Sequence, residues 1–95
     1  MIKVFRRNLV AGEEQTFIFD REVTMVTILN LSPNESIYIA LNETATIDGS
    51  NCILIPAGMG RDIPLDNVIN SSTNQIQLVS VISAGNPLVQ VDGIR

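Results

Sequence analysis

The strongest constraint on this chain is a period of two, repeated in short runs that never lengthen into a helical stripe. In "QTFIFD" Phe17 and Phe19 share one face, and Thr16, Ile18 and Asp20 take the other. In "SIYIALN" Ile37, Ile39 and Leu41 line one side, opposite Tyr38 and Ala40. In "EVTMVTILNLS" Val23, Met25, Thr27, Leu29 and Leu31 alternate with Thr24, Val26, Ile28 and Asn30. Successive side chains of a strand point to opposite faces, so these runs predict strands, and their Val, Ile and Thr content disfavours helix. "NQIQLVSVISAG" begins with Ile76 and Leu78 on one face and continues with Val79 and Val81 on the other. It is therefore expected to be apolar on both faces or to carry a bulge. A last run after Pro87 sets Val89 and Val91 on one face.

Turn signals separate these runs: Ala11 and Gly12, Ser32 to Asn34, Asp48 and Gly49, Ala57 and Gly58, Asn70 to Asn74, and Gly85 to Pro87. Their spacing matches the intervals of about 8–12 residues at which sandwiches and barrels turn. The fold class is all-β: one domain over residues 1–95, an antiparallel β-sandwich or jelly-roll-like barrel of about seven to eight strands. "GMGRDIPLDNVIN" fits either an edge strand interrupted at Ile63 and Pro64 or an ordered loop. Asp48 and Gly49 are expected to supply the positive φ angles of a tight turn, and Gly58 to redirect the chain after Pro56.

The composition limits what such a scaffold can do. The chain is 45% hydrophobic and only 17% charged. A small domain has much surface to cover, so an apolar balance of this kind points to further burial between subunits. A net charge of −4, with basic residues gathered only at Lys3, Arg6 and Arg7, argues against nucleic acid as a partner. Those three can form a docking stripe for an acidic surface, or simply guard an edge strand. The opening "MIKVFRRNLV" reads as neither a signal peptide nor a membrane span, which gives no membrane partner and synthesis in the cytoplasm as the expectation. Four Asn-x-Ser/Thr triplets, at Asn30, Asn34, Asn42 and Asn70, are read as chance occurrences in turns.

Catalytic parts are scarce. There is no His, one Cys and one Tyr. Acid–base and nucleophilic catalysis need a titratable group or nucleophile held beside a partner. The carboxylates that pair along the sequence, Glu13 with Glu14, Glu35 with Glu43, and Asp62 with Asp66, fall in or beside turns, where solvated charge is the default. "DGSN" at residues 48–51 lacks the further ligands of a calcium loop, and Gly58 to Arg61 lacks the helix start of a phosphate loop. Cys52, in "NCILIP", is expected to be a buried and inert thiol. The reading is no enzyme, no cofactor and no metal.

A resemblance enters with three phrases: the run from Val26 to Thr46 containing "NLS", "IYIALN" and "TAT", "LIPAG" at Leu54 to Gly58, and "VISAGNPLVQV" ending at Val91. Together they resemble small virion proteins of tailed bacteriophages. The resemblance implies a non-enzymatic β-sandwich that decorates or cements a capsid. Its expected partners are the major capsid protein or other virion proteins, its expected assembly a homotrimer, and its expected location the virion. The alternative is a spike, fibre-base or tail component with receptor- or glycan-binding loops. Docking is assigned to Lys3, Val4, Phe5, Arg6 and Arg7, with Met59, Arg61 and Asp62. The polar insert at residues 66–74 is expected to act as a contact loop.

Overall fold

The computed structural model describes residues 2–20, 23–64 and 76–94. Eight strands form: β1 (Ile2–Asn8), β2 (Gln15–Asp20), β3 (Met25–Asn30), β4 (Ile37–Leu41), β5 (Ile53–Ile55), β6 (Gly60–Pro64), β7 (Ile76–Ile82) and β8 (Leu88–Ile94). They make two four-stranded sheets, ordered β1-β8-β3-β6 and β2-β7-β4-β5. All pairings are antiparallel.

The pairing follows one rule. β4 pairs with β5, β3 with β6, β2 with β7 and β1 with β8, as in a single long hairpin whose tip is β4–β5. Two further pairings, β3 with β8 and β4 with β7, coil this ribbon into the two sheets. Such coiling is the jelly-roll solution to a ribbon that must bury one face of every strand. The segment 36–58 that carries the hairpin signal is therefore the turning point of the whole ribbon.

Between the sheets lies one apolar layer. Phe17, Phe19, Val79, Val81, Ile37, Ile39 and Ile55 from one sheet meet Val26, Ile28, Ile63, Val89 and Val91 from the other. On β3 the burial alternates, with Val26, Ile28 and Asn30 inside and Met25, Thr27 and Leu29 half-buried outside. The expected two-residue faces hold here, with one correction, at the start of the run. Val23 precedes the strand and is buried with the core, whereas Leu31 follows it and is exposed, as its face requires. β7 steps one-for-one against both neighbours, so it carries no bulge. It is instead covered on both faces. Val79 and Val81 point between the sheets, while Ile82 points outward into a second small cluster with Ala40 and Ala45.

That outer cluster exists because the connection between β4 and β5 folds back over the sheet. Asn42 takes a positive φ of 56°, which Asn tolerates, and its backbone and side chain continue the ladder with Leu78. The loop then lays Ala45 on Ala40 and Ile82, and the Ala45 amide donates to the Ser80 hydroxyl at 3.0 Å. Asp48 supplies a positive φ of 57° as its turn position suggested; Gly49 does not. Gly49 is needed for space, because a Cβ there would stand 2.2 Å from Thr46 Oγ1 and 3.0 Å from Cys52 Sγ. Cys52 is half-buried in this cluster rather than fully buried. Its thiol lies 3.6 Å from the Thr46 carbonyl and 3.4 Å from Asn51 Oδ1.

The ambiguous segment after Gly58 resolves in part. Gly58 has the expected positive φ of 74°, and residues 60–64 form β6 on the edge of its sheet, where Pro64 removes no ladder bond a neighbour would need. The insert at residues 66–74 lies outside the described residues.

One close approach fixes the packing. Gly93 faces inward on β8, and a Cβ there would meet the Phe19 ring at 2.5 Å and Val23 at 3.3 Å. Gly93→Ala is expected to overpack the core and lower stability by about 1–3 kcal/mol. A chemical denaturation curve with a shifted midpoint and an unchanged slope would show this.

Candidate docking faces

A strand's alternation divides the residues assigned to docking between two surfaces. Val4 and Arg6 of β1 sit opposite Asp92 and Gln90 of β8, on the outward face of the first sheet. Thr27 of β3 also faces Asp92, and Asp62 of β6 faces Thr27. This outer face therefore collects Val4, Arg6 and Asp62 along a sheet whose edge strands stand about 14 Å apart.

Side chains on this face bond to one another. Arg6 Nε and Nη2 both donate to Gln90 Oε1, at 3.0 and 2.8 Å, and Gln90 Nε2 donates to both Asp92 carboxylate oxygens at 3.1 Å. Thr27 donates to Asp62 at 2.6 Å. These are exposed bonds and stabilise the monomer only modestly, but they hold the long Arg6 and Gln90 side chains in place. Val4 stands 51% exposed beside them.

Lys3, Phe5 and Arg7 take the other face of β1, opposite Gly93, Val91 and Val89. Phe5 packs half-buried against the core, its ring 5.5 Å from both Phe17 and Phe19. Its ring is thus part of the sandwich, not a free anchor. Lys3 Nζ lies 5.4 Å from the Phe5 centroid, and the Arg7 guanidinium lies 5.9 Å from Phe5 and 5.8 Å from Phe17. β1 and β2 are the edge strands on the same side of the sandwich. The cations roof that open side, their stems covering the rings and their charges reaching water. Arg61 shares the inward parity of Ile63 but is exposed at the β6 edge, and Met59 stands 56% exposed in the turn before it. The N-terminal stripe and the Met59 to Asp62 group therefore occupy opposite edges of one sheet.

Of the carboxylates considered for catalysis, Glu14 and Asp62 accept hydrogen bonds from neutral groups, and Asp66 lies outside the described residues. Glu14 Oε2 accepts from the buried Ser80 hydroxyl and from the Ala45 amide, which ties the β1–β2 connection to the loop over the second sheet. Glu35 lies against Gly85, where a Cβ would meet its carboxylate. Among the described residues no group of three His, Cys, Asp or Glu side chains could hold a metal ion. Nor is any helix there long and apolar enough to cross a membrane. The described positions lining the space between the sheets are chiefly Val, Ile and Phe, so the described interior is an apolar core with no charged side chain in it.

Sequence reasoning missed the buried polar pins. Asn30 donates to the Glu35 carbonyl at 2.6 Å and to the Ile55 carbonyl at 3.2 Å, and accepts from the Ser32 amide at 3.1 Å. Ser83 donates to the Ser36 carbonyl at 2.7 Å. An Asn on an otherwise apolar strand face was the available signal.

No protein-family model and no curated protein matches the chain by sequence. By structure it is similar to a de novo designed double-stranded beta-helix solved by solution NMR. That match has 11% identity and a TM-score of 0.52, and covers 95% of this chain and 94% of that one. It is also similar to part of a family GH115 4-O-methyl-alpha-glucuronidase with specificity for decorated arabinogalactans. There the identity is 13% and the TM-score 0.55, over 95% of this chain and only 14% of that enzyme's length. At these identities the likeness shows the fold alone: an eight-stranded double-stranded β-helix.

The Tyr38 hydroxyl donates to Asp48 Oδ1 at 2.7 Å. That hydrogen bond, with smaller effects of burial and of the Asp48 charge, holds the tyrosine above its ordinary value of 10.0. The interaction favours the protonated phenol, so its contribution to stability is complete below the ordinary value and is lost as pH rises through the folded-state value. Tyr38 is the only Tyr and the chain has no Trp, so ultraviolet absorbance reads it directly. Asp48→Asn is expected to bring its titration midpoint back towards the ordinary value.

Proposed function

We propose that this chain is a non-enzymatic structural protein of a tailed-phage virion, decorating or cementing the capsid by binding across neighbouring shell subunits. The observation that carries this reading is where the structure leaves room for contact. The described interior is lined chiefly by Val, Ile and Phe, while the outer face of the β1-β8-β3-β6 sheet offers a broad, ordered surface with Val4 exposed and Arg6 held in place. An apolar interior and an ordered face suit contact with another protein better than turnover of a small molecule. The phage-like phrases of the sequence name the kind of particle. In this reading the partners are the major capsid protein or other virion proteins, and the working assembly is a homotrimer.

Repeated shallow contacts of this kind become strong on a lattice, because each bound copy adds to the stability of the assembled shell alone. The test is co-sedimentation of the purified chain with shells of its phage assembled without it, preceded by light scattering to fix the oligomer. The reading expects pelleting at a fixed ratio to the shell protein. A stable oligomer that ignores the shells would move the chain to a spike, fibre base or tail. Within the shell reading, Val4→Asp combined with Arg6→Glu is expected to lower occupancy about tenfold, close to the effect of removing one strong contact. Ile18→Asp, exposed on the other sheet, should leave occupancy unchanged.

A further inference from the structure

Of the four edge strands two are blunted, and two, β1 and β2, run without Gly or Pro; β1 is the longer and the one that carries the cations. β5 is three residues long, and β6 begins at Gly60 and ends at Pro64. β1 runs seven residues without Gly or Pro, and no strand pairs with its free side among the described residues. A free edge of this length presents a row of backbone N–H and C=O groups ready for another strand. Its only guard is charge. Lys3, Arg6 and Arg7 have no carboxylate partner among the described residues; two of them rest on aromatic rings and the third on the neutral Gln90. Two of the five guanidinium donors of Arg6 are used there, which leaves three.

The same charges select the strand that can add. In antiparallel pairing of β1 with a second copy, a two-fold centred on Phe5 sets Lys3 against Arg7, and one centred on Arg6 sets Arg6 against itself. Like charges directly opposite are destabilising, so these two registers of self-pairing are disfavoured. An acidic strand meets the opposite situation, with three cations in place and unneutralised.

We propose that β1 is a docking edge for an extended acidic segment of a partner protein, which adds as a fifth antiparallel strand beside β1. The spacing dictates the partner's pattern. Read from its N-terminus, it places acids opposite Arg7 and Arg6, apolar residues opposite Phe5 and Val4, and an acid opposite Lys3: acid, acid, apolar, apolar, acid. Backbone bonds supply the adhesion and the side-chain pattern supplies the choice of partner, as in other strand-addition complexes. The inference rests on the docking reading only in taking β1 as the contact edge; it does not require the partner to be a shell.

The experiment titrates the full chain with the blocked peptide Thr-Glu-Glu-Val-Val-Glu-Thr, followed by amide NMR and hydrogen exchange. Expected are saturable shifts centred on residues 3–8 and slowed exchange of β1 amides. Leu9 donates to the carbonyl of Pro87 opposite it, so the odd residues of β1 bond to β8 and Val4 and Arg6 turn their backbone groups to the free edge. The same peptide with Pro for its second Val, the one opposite Val4, keeps every charge but removes a ladder donor, and should bind about tenfold more weakly. A Gln-for-Glu peptide should bind weakly as well, and Arg6→Gln in the protein should weaken the acidic peptide while the spectrum stays that of the folded chain. Equal binding of the Pro peptide would show a charge contact without strand addition, and would overturn the proposal. So would binding with no slowing of β1 exchange, or no binding at all. Because the probe is a synthetic peptide, this outcome is independent of whether shells are decorated.

Discussion

Every strand of this molecule must bury one face against the opposite sheet, and the geometry of that shared layer governs the rest. Strands this short cannot stand alone, so the ribbon gains stability only when its two sheets meet. Branched aliphatics fill most of the layer, and the bulkiest side chain, Phe19, fits because Gly93 across the gap has no Cβ. The order of the strands follows from the same demand. A hairpin whose arms pair throughout still has one exposed apolar face, and coiling the ribbon folds that face against itself.

The second sheet departs from the simple scheme in an informative way. β7 carries apolar residues on both faces, and a strand of that kind needs a cover on its outside. The cover comes from the turning point of the ribbon itself, which crosses the outer face and lays Ala45 over Ala40 and Ile82. Polar groups at this junction are matched locally: Ser80 meets both Glu14 and the Ala45 amide. What looks along the chain like an overlong hairpin loop is a lid for its own sheet.

Much of this was legible in the residues. The alternations at Phe17 and Phe19, at Ile37 and Ile39, and at Val89 and Val91 reported the inner faces, because one buried side of a strand leaves that pattern and no other. The two-sided run at Val79 to Ile82 also announced itself, but whether by bulge or by cover could not be decided, since the cover lies some thirty residues away in the chain. Sheet order was illegible for the same reason: it is a property of pairs such as Ile2 with Ile94. The docking stripe was legible only as composition. Lys3, Arg6 and Arg7 look like one cluster in the sequence, yet alternation sends Arg6 to the outer face while Lys3 and Arg7 lie over the aromatic rings.

The last rung of the ribbon, Ile2 against Ile94, brings both ends of the described chain to one corner of one sheet. This matters for how the molecule carries load. Tension applied through those two ends opens the β1–β8 ladder rung by rung, as a zip opens, so it meets the resistance of one pair of hydrogen bonds at a time. Tension applied across the broad face of the sheet instead loads the whole ladder together. The same fold is therefore weak along one direction and stiff along another, and a body anchored by its face would hold against a strain that peels it apart from its ends.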